Sequence, residues 1–215
     1  MKKLSISIFA LVFVFCCCSC GIVKNKDKNE KLIEITEGVY ITDIAPYNGD
    51  FNENGSDLKS VNTLCLTVEN TSGRHYEYLN FELFSGGQRY KFSLYTLFNG
   101  STVKVLERDA AKYDENINVT SCVLVDYKVF SEKPSVHLDE FRISCLDGIV
   151  NVENLTENEI KNVKVFFKYV DSDVFLGGVT YCADAGNLRG GDIVQIPAEK
   201  YKKDKSKVVF VTYDK

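Results

Sequence analysis

The sequence predicts an all-β protein: two tandem β-sandwich domains produced by an internal duplication. Three observations predict it. Val, Ile, Phe and Tyr are plentiful, while the 215 residues hold three Pro and no Trp. β-branched and aromatic side chains fit a pleated, half-buried surface. Short apolar runs recur at close spacing, divided by Gly, Asn, Ser and Asp turns. Finally, segments of the two halves match in order at a nearly constant offset.

The chain opens MKKLSISIFALVFVFCCCSCG. Lys2 and Lys3 form a positive n-region, and Leu4 to Phe15 an apolar run too short for a stable membrane-spanning helix. The run ends in small and thiol residues, as an export signal does at its cleavage site. Cys17-Cys18-Ser19-Cys20-Gly21 resembles a bacterial lipobox. That resemblance implies a signal peptide over residues 1–19 and a diacylglyceryl thioether on Cys20. Two acyl chains anchor durably where one is marginal. The sequence departs from the pattern at Cys17, where Leu is usual. Cys16, Cys17 and Cys18 are rival acceptors, but only Cys20 has Ser before it and Gly after it. An ordinary secretory signal is the competing reading. Residues 20–32 are polar and charged, without apolar periodicity, and read as a flexible tether. The expected location is the outer face of the cytoplasmic membrane.

Residues 33–132 are expected to form the first sandwich and 133–215 the second. Strand runs in the first are Val39–Ile44, Asn62–Glu69, Tyr76–Phe84, Arg89–Phe98, Thr102–Leu106 and Val119–Phe130. Those in the second are His137–Cys145, Gly148–Glu153, Val163–Val170, Val174–Cys182, Ile193–Ile196 and Lys207–Tyr213. Asp109–Asn116 and Pro197–Lys205 read as short helices or crossing loops. The duplication rests on three matches. Leu66–Thr71 (LTVENT) matches Val150–Leu155 (VNVENL) at an offset of 84. Ala111-Lys112-Tyr113 matches Glu199-Lys200-Tyr201 at 88, and Ser121–Tyr127 matches Ser206–Tyr213 at 85 to 86. Together they indicate two copies of one unit of about 85 residues.

Within the second half, Val152-Glu153-Asn154, the run IKNVKVFFKYVD (160–171) and Phe175–Tyr181 (FLGGVTY) carry a further likeness. They resemble the FxLYD-type and related immunoglobulin-like modules of Gram-positive, clostridial-type lipoproteins. The likeness covers residues 150–213 well and 62–130 more faintly. It implies immunoglobulin-like sandwiches acting as adhesion, binding or spacer elements of the cell envelope. Such modules have no common catalytic residues to carry over.

Charge and chemistry narrow the function. Without residues 1–19 the chain has 24 basic and 30 acidic side chains, a net charge of −6. It has no basic stripe, so no nucleic-acid partner is expected. Cys65, Cys122, Cys145 and Cys182 lie in the folded part. An even count outside the cytosol permits disulfides, for instance Cys65–Cys122 and Cys145–Cys182. Four free thiols are the equal alternative, because Cys packs well as a small apolar residue. His75 reads as a turn residue, and His137 beside Asp139 and Glu140 as a weak metal hint. Asp50-Phe51-Asn52-Glu53-Asn54-Gly55 opens like a calcium loop, making Asp50, Asn52, Asn54 and Asp57 weak metal candidates. The bidentate Glu such a loop needs is replaced by Val61. Five N-x-S/T strings begin at Asn54, Asn70, Asn99, Asn118 and Asn154, and carry no glycan meaning in a bacterial chain. Glu69 and Glu153 recur at strand ends, each followed by a turn-forming Asn. The sequence has no nucleophilic triad, His/Cys pair or P-loop pattern. A dense cluster of buried ionisable groups is not expected, and neither is a cofactor. The leading expectation is a non-enzymatic, membrane-anchored binding or spacer protein with an envelope protein or glycan as partner. The alternative is a solute- or Ca2+-binding envelope protein, which a cleft with converging polar groups would favour.

Overall fold

The computed structural model describes residues 33–51, 53–56 and 58–214. The expected export signal of residues 1–19, Cys20 and the expected tether of 20–32 lie outside the described residues. So do Asn52 and Asp57. The described residues belong to one compact unit.

The described chain is all β. Its strands are β1 (Ile33–Thr36), β2 (Val39–Asp50), β3 (Lys59–Asn70), β4 (Tyr76–Ser85), β5 (Gln88–Leu97), β6 (Thr102–Leu106) and β7 (Val119–Val129). There follow β8 (Phe141–Leu146), β9 (Ile149–Asn154), β10 (Ile160–Asp171), β11 (Val174–Leu176), β12 (Tyr181–Leu188), β13 (Ile193–Pro197) and β14 (Ser206–Asp214). The largest sheet runs β1-β2-β3-β6-β11-β10-β12, with β14 on the other side of β10. Two three-stranded sheets, β5-β4-β7 and β13-β9-β8, complete the fold. Pairing is antiparallel apart from β6 with β11.

Two separate apolar cores hold these sheets. In the first, Val39 and Ile41 of β2, Leu64, Leu66 and Val68 of β3, and Val103 and Val105 of β6 form one layer. Leu79, Phe81 and Leu83 of β4, with Phe92 and Leu94 of β5, form the other. The Phe81 and Phe92 rings stack at 5.2 Å. The i, i+2 spacing of these side chains is the strand period, so each strand turns one face inward. Each fully buried Leu, Val or Phe contributes about 1.5–3 kcal/mol. In the second core, Phe141, Val150, Val152 and Ile196 face Val163, Val165, Phe167, Ala183 and Val211. Two facing layers around each core fit β-sandwich packing.

The two cores share bonding detail. Asn70 ends β3 and Asn154 ends β9, and both are fully buried. Asn70 Nδ2 donates to the carbonyls of Arg74 and Leu97, while its Oδ1 accepts from the Ser72 amide and hydroxyl. Asn154 Nδ2 donates to Asn158, Leu188 and Arg189, and its Oδ1 accepts from the Thr156 amide and hydroxyl. The two N-x-S/T strings are therefore turn staples, in which an Asn side chain substitutes for backbone partners. The Leu64 amide donates to Ala111 O, and the Gly148 amide to Tyr201 O.

The cores are joined by hydrogen-bonded strands rather than by a loose linker. β11 pairs with both β10 and β6. Phe175 of β11 packs on the first core although it follows residue 133. Lys104 of β6 pairs with Asp171 of β10 at 2.6 Å. The expected strand Val174–Cys182 is broken after Leu176. At Gly177 a Cβ would sit 2.4 Å from Leu94 Cδ2 and 3.2 Å from Lys104 O, so the backbone approaches its neighbours closely and any side chain there would push Leu94 aside. The expected strand from His137 begins only at Phe141, because the amides of Glu140 and Phe141 both bond back to His137 O. Asp109–Asn116 and Pro197–Lys205 are loops.

Candidate binding pocket between the two cores

β10 explains how a site forms here. Its Val163, Val165 and Phe167 enter the second core, which leaves Lys164, Phe166 and Lys168 on the opposite face. In a lone sandwich that face would meet water. Here the first core's β5 and the Gly177–Thr180 crossing cover its far end, and Lys168 is fully buried. Its Nζ donates to Gly178 O at 2.7 Å, Tyr95 O at 2.8 Å, Gly177 O at 3.2 Å and Thr180 Oγ1 at 3.3 Å. Burial pulls the Lys168 ammonium down to about 7, and the nearby Glu53 carboxyl opposes that pull. These four acceptors share the three N–H donors of the ammonium, so none of its protons is left without a partner.

Glu53 comes from the β2–β3 loop, which is closed by the Phe51 amide on Leu58 O at 2.8 Å. Phe51 anchors it by packing with Cys65 and Leu106. Glu53 Oε1 accepts the Leu106 amide at 2.9 Å. Its Oε2 is buried and has no hydrogen-bond partner among the described residues. Burial pushes the Glu53 carboxyl up to about 8, partly countered by the Leu106 amide and by Lys168. A third buried charge, Glu107, is fully occupied by the amides of Lys91, Asp109 and Ala111. Buried Glu53, Glu107 and Lys168 thus correct the expectation that such a cluster is missing.

A pocket of about 450 Å³ opens between the cores. Phe166 of β10 and Phe210 of β14 line it, their rings stacked at 4.5 Å, and Phe130 meets Phe210 edge-on at 5.8 Å. Tyr95, Val179, Thr96, Thr180 and Thr212 also line it. Glu53 and Glu77 are its acids. Glu77 sits at the rim, 40% exposed, and pairs with Lys128 at 2.7 Å. Thr96 has φ +57°, a rare conformation for a β-branched residue that costs of order 1–3 kcal/mol. Its Oγ1 lies 3.1 Å from Thr180 Oγ1.

Sequence reasoning missed Glu53 and Lys168. Glu53 stands between the Asp and Asn residues counted as calcium ligands, where the loop pattern has no ligand. Lys168 reads as the polar member of an alternating strand. The usable signal was Gly177-Gly178, a close backbone approach that brings two carbonyls to one side chain.

The expected metal residues lie elsewhere. Asp50 Oδ1 pairs with Lys59, and its Oδ2 lies 3.2 Å from Lys205 and 3.7 Å from Lys202. The Lys59 hydrogen bond chiefly holds Asp50 down at about 2. Asn54 Oδ1 accepts the Ser56 amide at 3.0 Å, a local turn. Among the described residues no three His, Cys, Asp or Glu side chains converge on a metal position. His75 Nδ1 accepts the Asn99 amide at 3.2 Å, and His137 lies 3.5 Å from Glu140. Among the described residues the cysteines are unbridged: Cys65 buried, Cys122 and Cys145 half-buried, Cys182 exposed. Burial pushes the Cys65 thiol up to about 12. No protein-family model matches this chain, and comparison with curated proteins finds no relative.

Proposed function

We propose that this chain is an exported envelope protein, lipid-anchored through Cys20 on the outer face of the cytoplasmic membrane. Its body is a non-enzymatic binding protein made of two copies of one immunoglobulin-like unit, and its ligand is a small solute held between them. The Asn70 and Asn154 staples, set at the same strand ends, support the duplication.

The observation that carries the binding reading is Glu53 Oε2, a buried carboxyl oxygen without a partner at an aromatic pocket. A group of that kind is costly unless something satisfies it, and a ligand donor would. A plain spacer has no use for it. The non-enzymatic reading rests on the lining: among the described residues no His or Cys lines the pocket, and the Lys168 ammonium is engaged with its acceptors.

Two measurements test this reading. Intact mass of protein extracted from its own membranes gives a diacylglyceryl adduct on Cys20; an unmodified Cys20, or cleavage elsewhere, contradicts the anchor. The same protein, washed and then denatured, releases a small molecule that folded Phe166→Ala protein lacks. Equal content in both proteins contradicts the site.

A further inference from the structure

We infer that the pocket between the two cores selects a small organic cation, an amine or quaternary ammonium on an aromatic or aliphatic body. This deepens the binding reading above and rests on it. The carboxyl groups of Glu53 and Glu77 line the pocket, and among the described residues no Lys, Arg or His does. The nearest buried base, Lys168, does not line it; its ammonium is turned into the carbonyls of Tyr95, Gly177 and Gly178. An anion entering the pocket would therefore meet carboxyl groups and ring faces, with no cation free to receive it.

The apolar lining is mostly aromatic: Tyr95, Phe130, Phe166 and Phe210. Ring faces attract cations through their quadrupole, and aromatic cages are a known means of holding ammonium groups. Glu53 supplies the directional contact. Its Oε1 is fixed by the Leu106 amide, and a cation bound beside the carboxyl draws off its proton, which makes Oε2 the acceptor for a ligand N–H or the counter-charge for a quaternary head. The hydroxyls add polarity without adding charge. Lys168 donates to Thr180 Oγ1, which also shares a hydrogen bond with Thr96 Oγ1. A volume of about 450 Å³ falls in the usual range of small-molecule sites, about 300–1,000 Å³.

The test is calorimetric titration of the full chain with four probes that share one ring: benzylamine, benzyltrimethylammonium, benzyl alcohol and 3-phenylpropionate. Expected is binding of both cations at least tenfold tighter than the alcohol, with no heat from the carboxylate. Glu53→Gln weakens benzylamine tenfold or more and leaves the alcohol unchanged. Glu77→Gln, at the exposed rim, is the second variant should Glu53→Gln not fold, and weakens both cations about threefold. Alcohol or carboxylate binding as tightly as the amine overturns the cation selection while leaving a solute site in place. No heat from any probe on folded protein overturns the selection and the binding reading together.

Discussion

Lys168→Met tests the junction most severely. The substitution keeps the length and most of the packing of the side chain while removing its charge and its donors. Four acceptors lose a partner, Tyr95 O, Gly177 O, Gly178 O and Thr180 Oγ1, although Gly177 O keeps the Tyr95 amide. Glu53 loses its favourable charge interaction as well. Leaving a buried carbonyl unsatisfied costs about 1–3 kcal/mol, so the Tyr95 and Gly178 carbonyls together cost about 2–6 kcal/mol. With a urea slope of about 2 kcal/mol per molar, the midpoint falls by about 2 M. The assay is urea unfolding followed by far-UV circular dichroism at pH 7. Adding Glu53→Gln to Lys168→Met should cost less than the sum of the two single changes, by about 1 kcal/mol or more. A midpoint shift below about 0.5 M, or strict additivity, would refute the reasoning that these groups form one buried network.

Three further outcomes follow from the same geometry. Glu53 has a folded pKa above its ordinary value, so between about 4.5 and 8 the native state holds a proton that the unfolded chain has released. Stability drawn from this group is therefore full below its unfolded pKa and declines as pH rises toward 8. Glu53→Gln should flatten that decline in urea midpoints taken at pH 5, 6.5 and 8, and an unchanged or steeper decline contradicts the assignment. Asn70→Ala and Asn154→Ala each strip two or more carbonyls of a donor. Each should lose about 2–4 kcal/mol in thermal unfolding, agreeing within about 1 kcal/mol, and a loss from only one contradicts their equivalence. In native protein, a thiol reagent should modify Cys182 fastest and Cys65 only on unfolding, because Cys65 is buried and its thiolate disfavoured; absence of free thiol even after unfolding would mean that disulfides form.

The strands were legible because their evidence is local. Alternation in Val163–Tyr169 names a strand and its buried face without any partner in view. Turns at Thr71–Gly73, Ser85–Gly87 and Asp171–Asp173 were legible from their residue types. What the sequence concealed is what the packing of the two cores decides. The break at Gly177 depends on Leu94, Val105 and Lys104, all distant in the chain. The burial of Lys168 depends on β5 and the crossing segment, since nothing in its neighbours distinguishes it from the half-buried Lys164. The Asp50 loop was noticed for the right reason, its density of oxygen ligands, but three lysines engage Asp50 and the inward group is Glu53. The repeat of Asn70 and Asn154 was visible, although weight fell on the neighbouring glutamates. Glu153 merely pairs with Arg142 across the strands.

The central claim, that the space between the two cores is a ligand site, is tested most directly by methyl NMR. Thr96, Thr180 and Thr212, with Val179, place methyl groups at the pocket, whereas Val68 and Val152 lie in the two separate cores. Titration of methyl-labelled protein with benzylamine should shift the four pocket residues together with one saturation curve and leave Val68 and Val152 in place. Saturating shifts confined to other surfaces, with the pocket methyls unmoved, would contradict the account.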